Sequence, residues 1–246
     1  MFSESQPLGE PVLAPQAQLP PANPKPLVGR TVTLEKLLPT HATDLFPLIG
    51  GLSKSAQSLW TYMSDGPYPT LAPFKTSITS KSASTDPFFF AIIDQRPDLP
   101  TTGKAIGYLS LMRMTPEHLC IEIGNVMFSP ALQRTTGATE AVFLLLDYCF
   151  ELGYRRVEWK CDSLNEASRN AATRLGFGPE GIHKQHMVVK GRSRDTAWFS
   201  MLWEEWEEGR KLAIVEWMGV ENRGVDGKQL LGLRDVRNFI FIDKGW

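Results

Sequence analysis

The chain has 246 residues, 42% of them hydrophobic and 22% charged, with a formal net charge of -1 and an isoelectric point near 6.4. This is the composition of a soluble globular protein, and it offers no basic surface for nucleic acid or an anionic membrane. No apolar run approaches the roughly 20 residues that span a bilayer, and the first residues lack a basic segment leading into an apolar core, so neither membrane association nor a secretory leader is expected.

Three cysteines, Cys120, Cys149 and Cys161, are odd in number and have no C-x-x-C spacing. They are expected to be reduced thiols of a cytoplasmic protein, with no disulfide framework and no structural zinc.

In chain order, residues 1–28 are rich in Pro, Gln, Ala and Ser and read as an extended or disordered arm, since proline removes backbone donors and little can be buried. "RTVTLEKL" alternates like a strand. "THATDLFPLI" has the cap-like Thr40 and an apolar helical face. "SLWTYM" reads as a short helix closed by the turn "SDGPYP". "PFFFAIID", "KAIGYLSLMRM" and "HLCIEIGNVMF" are three strands of an antiparallel meander.

A helix from Gly137 to Leu152 follows, then the strand "GYRRVEWKCD". The short helix "NEASRNAATRLGF" ends at Gly176, which suits a left-handed cap. A hairpin is built from "IHKQHMVVK" and "DTAWFSML" around "GRSRD". The order points to a mixed α/β sheet. "WEEWEEGRKLAIVEWMG" reads as a helix with Trp203, Trp206, Leu212 and Trp217 available for burial, and "NFIFIDKGW" as a terminal strand. These form an extension expected to dock on the domain or on a partner subunit.

The stretch "LQRTTGATEA" places small residues, hydroxyls and a glycine where a strand hands over to a helix. Backbone amides of such a turn point outward together, and the helix dipole adds positive potential, so a diphosphate can sit there without a lysine. A plain helix start capped by Thr136 or Gly137, with Glu140 in the first turn, explains the same residues. Glu122 is a carboxylate inside an apolar strand. That setting would desolvate it and make it a stronger base near neutral pH. His183 and His186 are three apart in a strand and are expected on opposite faces, so no metal site is expected.

Three stretches, "IEIGNVMFSPALQRTTGATEA", "GYRRVEWKCDSLNEASRNAATRLGF" and "RDTAWFSML", resemble the GNAT acetyltransferases in this order, and within them the RimJ/RimL-like N-acetyltransferases. The resemblance covers about residues 30–203. It implies the α/β GNAT fold: a mixed, mostly antiparallel sheet with a central, splayed parallel pair flanked by helices. The division is then an arm at 1–28, a GNAT domain at 29–203 and an extension at 204–246. It also implies acetyl-CoA as cosubstrate, no metal, and direct transfer to a primary amine of a small molecule, an amino acid or a peptide N-terminus. A homodimer is compatible with it. The alternative is a catalytically inactive GNAT-like protein that binds CoA or a partner.

The resemblance assigns residues. The family's phosphate loop falls on Gln133, Arg134, Thr135, Thr136, Gly137 and Ala138, with Thr139 beside it, and Thr136 stands where a glycine is usual. Val126, Met127 and Phe128 are the strand expected to pair with the pantetheine arm and to supply the oxyanion amide. Glu122 is the base. The family's usual tyrosine acid is replaced by Ala172. In its place the RimL-like Asn165 and Ser168 are expected to contact the cosubstrate, with Ser168 donating to the leaving thiolate; helix capping is the other reading of this pair. Trp60, Tyr62, Tyr68, Tyr108, His186 and Trp198 are the candidates for the acceptor pocket.

Overall fold

The computed structural model describes residues 8–13 and 16–243. Among the described residues eight strands form one sheet: β1 (Leu27–Val28), β2 (Val32–Lys36), β3 (Phe88–Asp94), β4 (Ala105–Thr115), β5 (Cys120–Phe128), β6 (Arg156–Asp162), β7 (Gly178–Val189) and β8 (Arg192–Leu202), in spatial order β1-β2-β3-β4-β5-β6-β8-β7. All neighbours are antiparallel except β5 and β6. A parallel pair needs a crossover, and α4 (Thr136–Glu151) supplies it.

β3 is buried along its whole length because both faces of the sheet are covered. Phe88, Phe90 and Ile92 point into one core with Ile121, Ile123 and the Val142, Leu145, Leu146 and Cys149 stripe of α4. Phe89, Ala91 and Ile93 point into a second core. That core includes Leu45 and Ile49 of α1 (Ala42–Ile49) and Phe74 and Ile78 of α3 (Leu71–Ala83). Between those helices lies the single turn α2 (Lys54–Ser58), begun by Ser53, whose hydroxyl accepts the Ala56 N–H at 3.2 Å.

Three expectations are corrected. The helix expected over "SLWTYM" is displaced: α2 ends at Ser58, and Trp60 lies in the irregular chain after it. The reason is burial, since the indole fills the second core and its Nε1–H donates to the Ile49 carbonyl at 2.7 Å. The terminal strand over "NFIFIDKGW" is instead part of α8 (Leu233–Asp243), and residues 244–246 lie outside the described residues. The alternation in "FIFI" is overridden by a helical stripe, Leu233, Val236 and Ile240, that packs on the first core and leaves Phe239 exposed. Trp203 and Leu212 stay exposed, while Trp206, Ala213, Ile214 and Trp217 are buried.

After β8 the chain runs through α6 (Trp203–Glu205), a π-helical turn at Trp206–Arg210 and α7 (Lys211–Met218), which packs on α4. α5 (Glu166–Leu175) ends at Gly176 with φ 104°, the left-handed cap expected there. Of the arm expected at 1–28, residues 1–7 and 14–15 lie outside the described residues. Further on, Ala17 N–H donates to Pro116 O at 3.2 Å and Gln18 N–H to Leu152 O at 2.8 Å, which ties this segment to the β4–β5 connection and the end of α4. No helix among the described residues is long and apolar enough to cross a membrane.

Candidate active site

β5 and β6 pair only from Cys120↔Arg156 to Glu122↔Glu158 and then diverge. Beyond this point β6 follows β8, while β5 stays with β4 through a bulge. The register steps from Ser110↔Gly124 to Tyr108↔Met127, and Asn125 adopts φ 50°. Gly124 sits under Met112 at the step; a β-carbon there would lie 2.4 Å from Met112 Sδ and would displace that side chain. The result is a fork in which the edge of β5 from Ile123 to Phe128, including Val126 and Met127, has no partner in β6. Its backbone groups are open to an extended ligand.

At the tip of the fork the chain turns into α4. Arg134 sits at φ 61° and Thr135 is the N-cap residue, but its hydroxyl turns back to the Leu132 carbonyl at 2.7 Å. No side chain caps the helix. The amides of Thr136, Gly137 and Ala138 precede the first intrahelical hydrogen bond, and no acceptor among the described residues takes them. Gly137 packs close, since a β-carbon would lie 2.9 Å from Val32 Cγ1. Glu140 accepts the N–H groups of Arg30, Thr31 and Val32 at 2.7–3.1 Å, so it anchors the β1–β2 turn rather than the helix start. Gln133 Nε2 donates to the Phe128 carbonyl at 2.8 Å, and Arg96, paired with the buried Asp94, donates to the Ala131 carbonyl at 3.1 Å. Both hold the loop against the strand.

Glu122 lies at the apex of the fork and is 3% exposed. Its expected apolar setting is corrected. Oε2 pairs with Arg113 Nη1 at 2.6 Å and Lys160 Nζ at 3.1 Å. Lys160 also pairs with Glu158 at 2.6 Å and stands over the Trp198 ring at 3.8 Å. Arg156 continues the ladder to Glu158 at 2.9 Å and Glu180 at 2.5 Å. The sequence shows these charges at alternate strand positions but not that one face of neighbouring strands collects them. Oε1 of Glu122 has no hydrogen bond among the described residues.

Burial opposes ionisation of Glu158, but the Lys160 and Arg156 hydrogen bonds outweigh it and hold the carboxyl below its usual range. The Arg156 hydrogen bonds bring Glu180 down to about 2. Carboxyls depressed by folding stabilise above their unfolded value, and that contribution is lost as pH falls through the folded one. Arg156→Gln should therefore lose stability at pH 7, and the deficit should shrink as pH falls below about 4.5 toward 2, as read by urea denaturation across that window. A deficit independent of pH would contradict the ladder.

A cavity of about 550 Å³ opens on the same face of the sheet, lined among others by Asp65, Tyr68, Ser77, Lys81, Phe89 and the bulge residue Asn125. Asp65 accepts from Tyr68 Oη at 2.8 Å, Ser77 Oγ at 3.2 Å and Lys81 Nζ. Burial opposes its ionisation, yet the Lys81 ammonium and the two hydroxyls outweigh it and hold the carboxyl below its usual range. Asp65, Ser77 and Lys81 escape notice in the sequence because α3 has only a thin apolar stripe.

An acetyltransferase (GNAT) domain model matches residues 32–178 of the chain. The chain belongs to the GNAT acetyltransferase family. A GCN5-related N-acetyltransferase from Brucella melitensis is 41% identical and superposes with a TM-score of 0.84, covering 91% of this chain and 97% of that one. A protein from Chromobacterium violaceum, described as a probable acetyltransferase (GNAT family), is 41% identical with a TM-score of 0.71, over 83% and 100% of the two chains. The uncharacterized N-acetyltransferase YoaA of Bacillus subtilis is 29% identical over 102 residues, 41% of this chain and 57% of that protein, so little more than half of that relative is spanned. The GNAT fold and an N-acetyltransferase activity follow.

Within this GNAT domain the remaining expected site residues separate. Trp60 is 1% exposed and belongs to the core, so it does not line the cavity. Tyr62 donates to the Leu164 carbonyl at 3.0 Å, bridging to the β6–α5 loop. Tyr68 lines the cavity. Tyr108 is fully buried under it; its hydroxyl has no partner among the described residues, and burial pushes its pKa well above the usual value. His183 and His186 are not on opposite faces. A register shift in β7, with Gln185 at φ 49°, brings both rings beside Trp198, at 4.5 and 5.9 Å. Trp198, over Lys160, borders the fork from the β8 side. Asn165 Oδ1 accepts the Ser168 N–H at 3.1 Å and caps α5. Ser168 Oγ accepts Trp159 Nε1–H at 3.0 Å, which leaves its own proton to donate.

Proposed function

We propose that this chain is an acetyl-CoA-dependent, RimJ/RimL-like N-acetyltransferase. It moves an acetyl group directly to a primary amine of a small molecule, an amino acid or a peptide N-terminus. The observation that carries this reading is the uncapped start of α4 at the mouth of the β5/β6 fork. Three outward amides at a positive helix end fit a diphosphate, and the unpaired strand edge beside them fits an extended, amide-containing arm.

The chain's own groups then divide the chemistry. The amides of Thr136, Gly137 and Ala138 hold phosphate oxygens. A backbone N–H near Val126 or Met127 stabilises the oxyanion that develops on the acetyl carbonyl. Glu122 accepts the ammonium proton at Oε1, through a water, because the residue is almost closed to solvent. The Ser168 hydroxyl donates to the leaving thiolate. The acceptor enters from the cavity bounded by Tyr68, Ser77 and Asn125, whose polar lining suits a hydrated amine and its substituents.

A thiol-release assay with acetyl-CoA and a panel of amines, amino acids and short peptides tests this. CoA release that depends on the added amine, with mass gain of one acetyl group on that amine, is expected. Absence of release across the panel, together with no thermal shift by acetyl-CoA, would overturn the reading.

A further inference from the structure

Residues 219–232 of the extension fold back over the first turn of α4. Asn222 organises this segment from a buried position. Its amide group donates to the Trp217 and Leu231 carbonyls at 3.1 Å each, and its side-chain oxygen accepts the Leu231 N–H at 2.8 Å. A backbone bridge pairs Arg223 with Gln229. The guanidinium of Arg223 is thereby presented to the phosphate loop. It donates to Thr136 Oγ1 and, at 3.3 Å, to the Gly227 carbonyl.

A second guanidinium arrives from α5. Arg174 Nη2 donates to Thr139 Oγ1 at 2.7 Å and lies 5.4 Å from the Trp217 ring of the extension. Neither arginine meets a carboxylate among the described residues. Of the two acids in the same segment, Asp226 pairs with Lys228 at 3.1 Å, and Glu221 makes no ion pair with Arg223. Two cations therefore stand at the positive end of α4, a position suited to a bound anion.

We infer that Arg223 of the C-terminal extension is a cofactor-binding residue that closes over the phosphate loop and donates to the diphosphate of acetyl-CoA. The inference rests on the acetyl-CoA reading above. It also explains Thr136, where the loop departs from its family's glycine. A glycine has no hydroxyl to accept Arg223, so the unusual residue is the one that receives the extension. The guanidinium keeps further N–H donors for phosphate oxygens beyond the two used in these contacts.

Steady-state kinetics with two acetyl donors test this: acetyl-CoA, and S-acetylpantetheine, which has the same thioester arm and no phosphate. Arg223→Ala should raise KM for acetyl-CoA by about tenfold, the size of a lost charge-assisted hydrogen bond, with kcat unchanged. Its kcat/KM for S-acetylpantetheine should equal that of the wild type. Arg223→Lys should recover part of the loss, since it keeps the charge but not the planar fork. Equal loss with both donors would reduce Arg223 to a structural role, and an unchanged KM for acetyl-CoA would overturn the inference while the acetyl-CoA reading stands. A wild-type enzyme that uses S-acetylpantetheine but neither binds nor uses acetyl-CoA would overturn both.

Discussion

Glu122→Gln should lower kcat by about 10²-fold or more, the usual effect of losing a general base, with KM for acetyl-CoA unchanged. Glutamine keeps the shape of the side chain and an oxygen to face Arg113 and Lys160, and Lys160 retains Glu158 at 2.6 Å. The fold should therefore survive, and the loss should appear in the chemical step. An unchanged kcat across the pH range would remove Glu122 from proton transfer and leave it as the electrostatic clasp of the fork.

Lys160→Met should lower stability by about 3 kcal/mol at neutral pH, because removing the shared cation from a buried ion cluster leaves each of its two carboxylates with a single arginine partner. The ammonium is enclosed, with 7% of the side chain exposed, and it bridges two carboxylates that approach where β5 and β6 begin to part. Without it Glu122 leans on Arg113 and Glu158 on Arg156 alone, and the contact with the Trp198 ring is lost. The double variant Lys160→Met with Glu122→Gln should recover part of the deficit, since one of the stranded carboxylates is gone. Urea denaturation of the single and double variants reads both effects. A loss below about 1 kcal/mol would mean that the fork is held by strand pairing and packing alone.

These two residues mark how far the sequence carries. Glu122 stands out because a carboxylate in "CIEIGNV" contradicts its surroundings. Lys160 in "VEWKCD" does not, because an alternating strand with a charged face is ordinary; only the neighbouring strands decide whether that face meets solvent or another charge. The same holds for Asp65 and Lys81, separated by 16 residues, which meet only because α3 lies across the sheet. Trp60 shows the reverse error: an aromatic expected to line the acceptor pocket is made core by tertiary packing. His183 and His186 were separated by ideal strand geometry and reunited by a bulge, which has no fixed sequence signature.

Local patterning alone placed the strands from β2 to β8, the helix start with its outward amides and the cap at Gly176, because periodicity and turn chemistry act over a few residues; it gave no sign of α3 (Leu71–Ala83), whose apolar stripe is thin, or of the two-residue β1. The order of motifs was enough to suggest the family. Tertiary structure alone decided which charges share the fork, which aromatics face a cavity, and that the last residues form a helix rather than a strand. It also brought Arg223 to Thr136, 87 residues earlier in the chain. Those outcomes depend on what packs against each segment, and no local pattern records the partner.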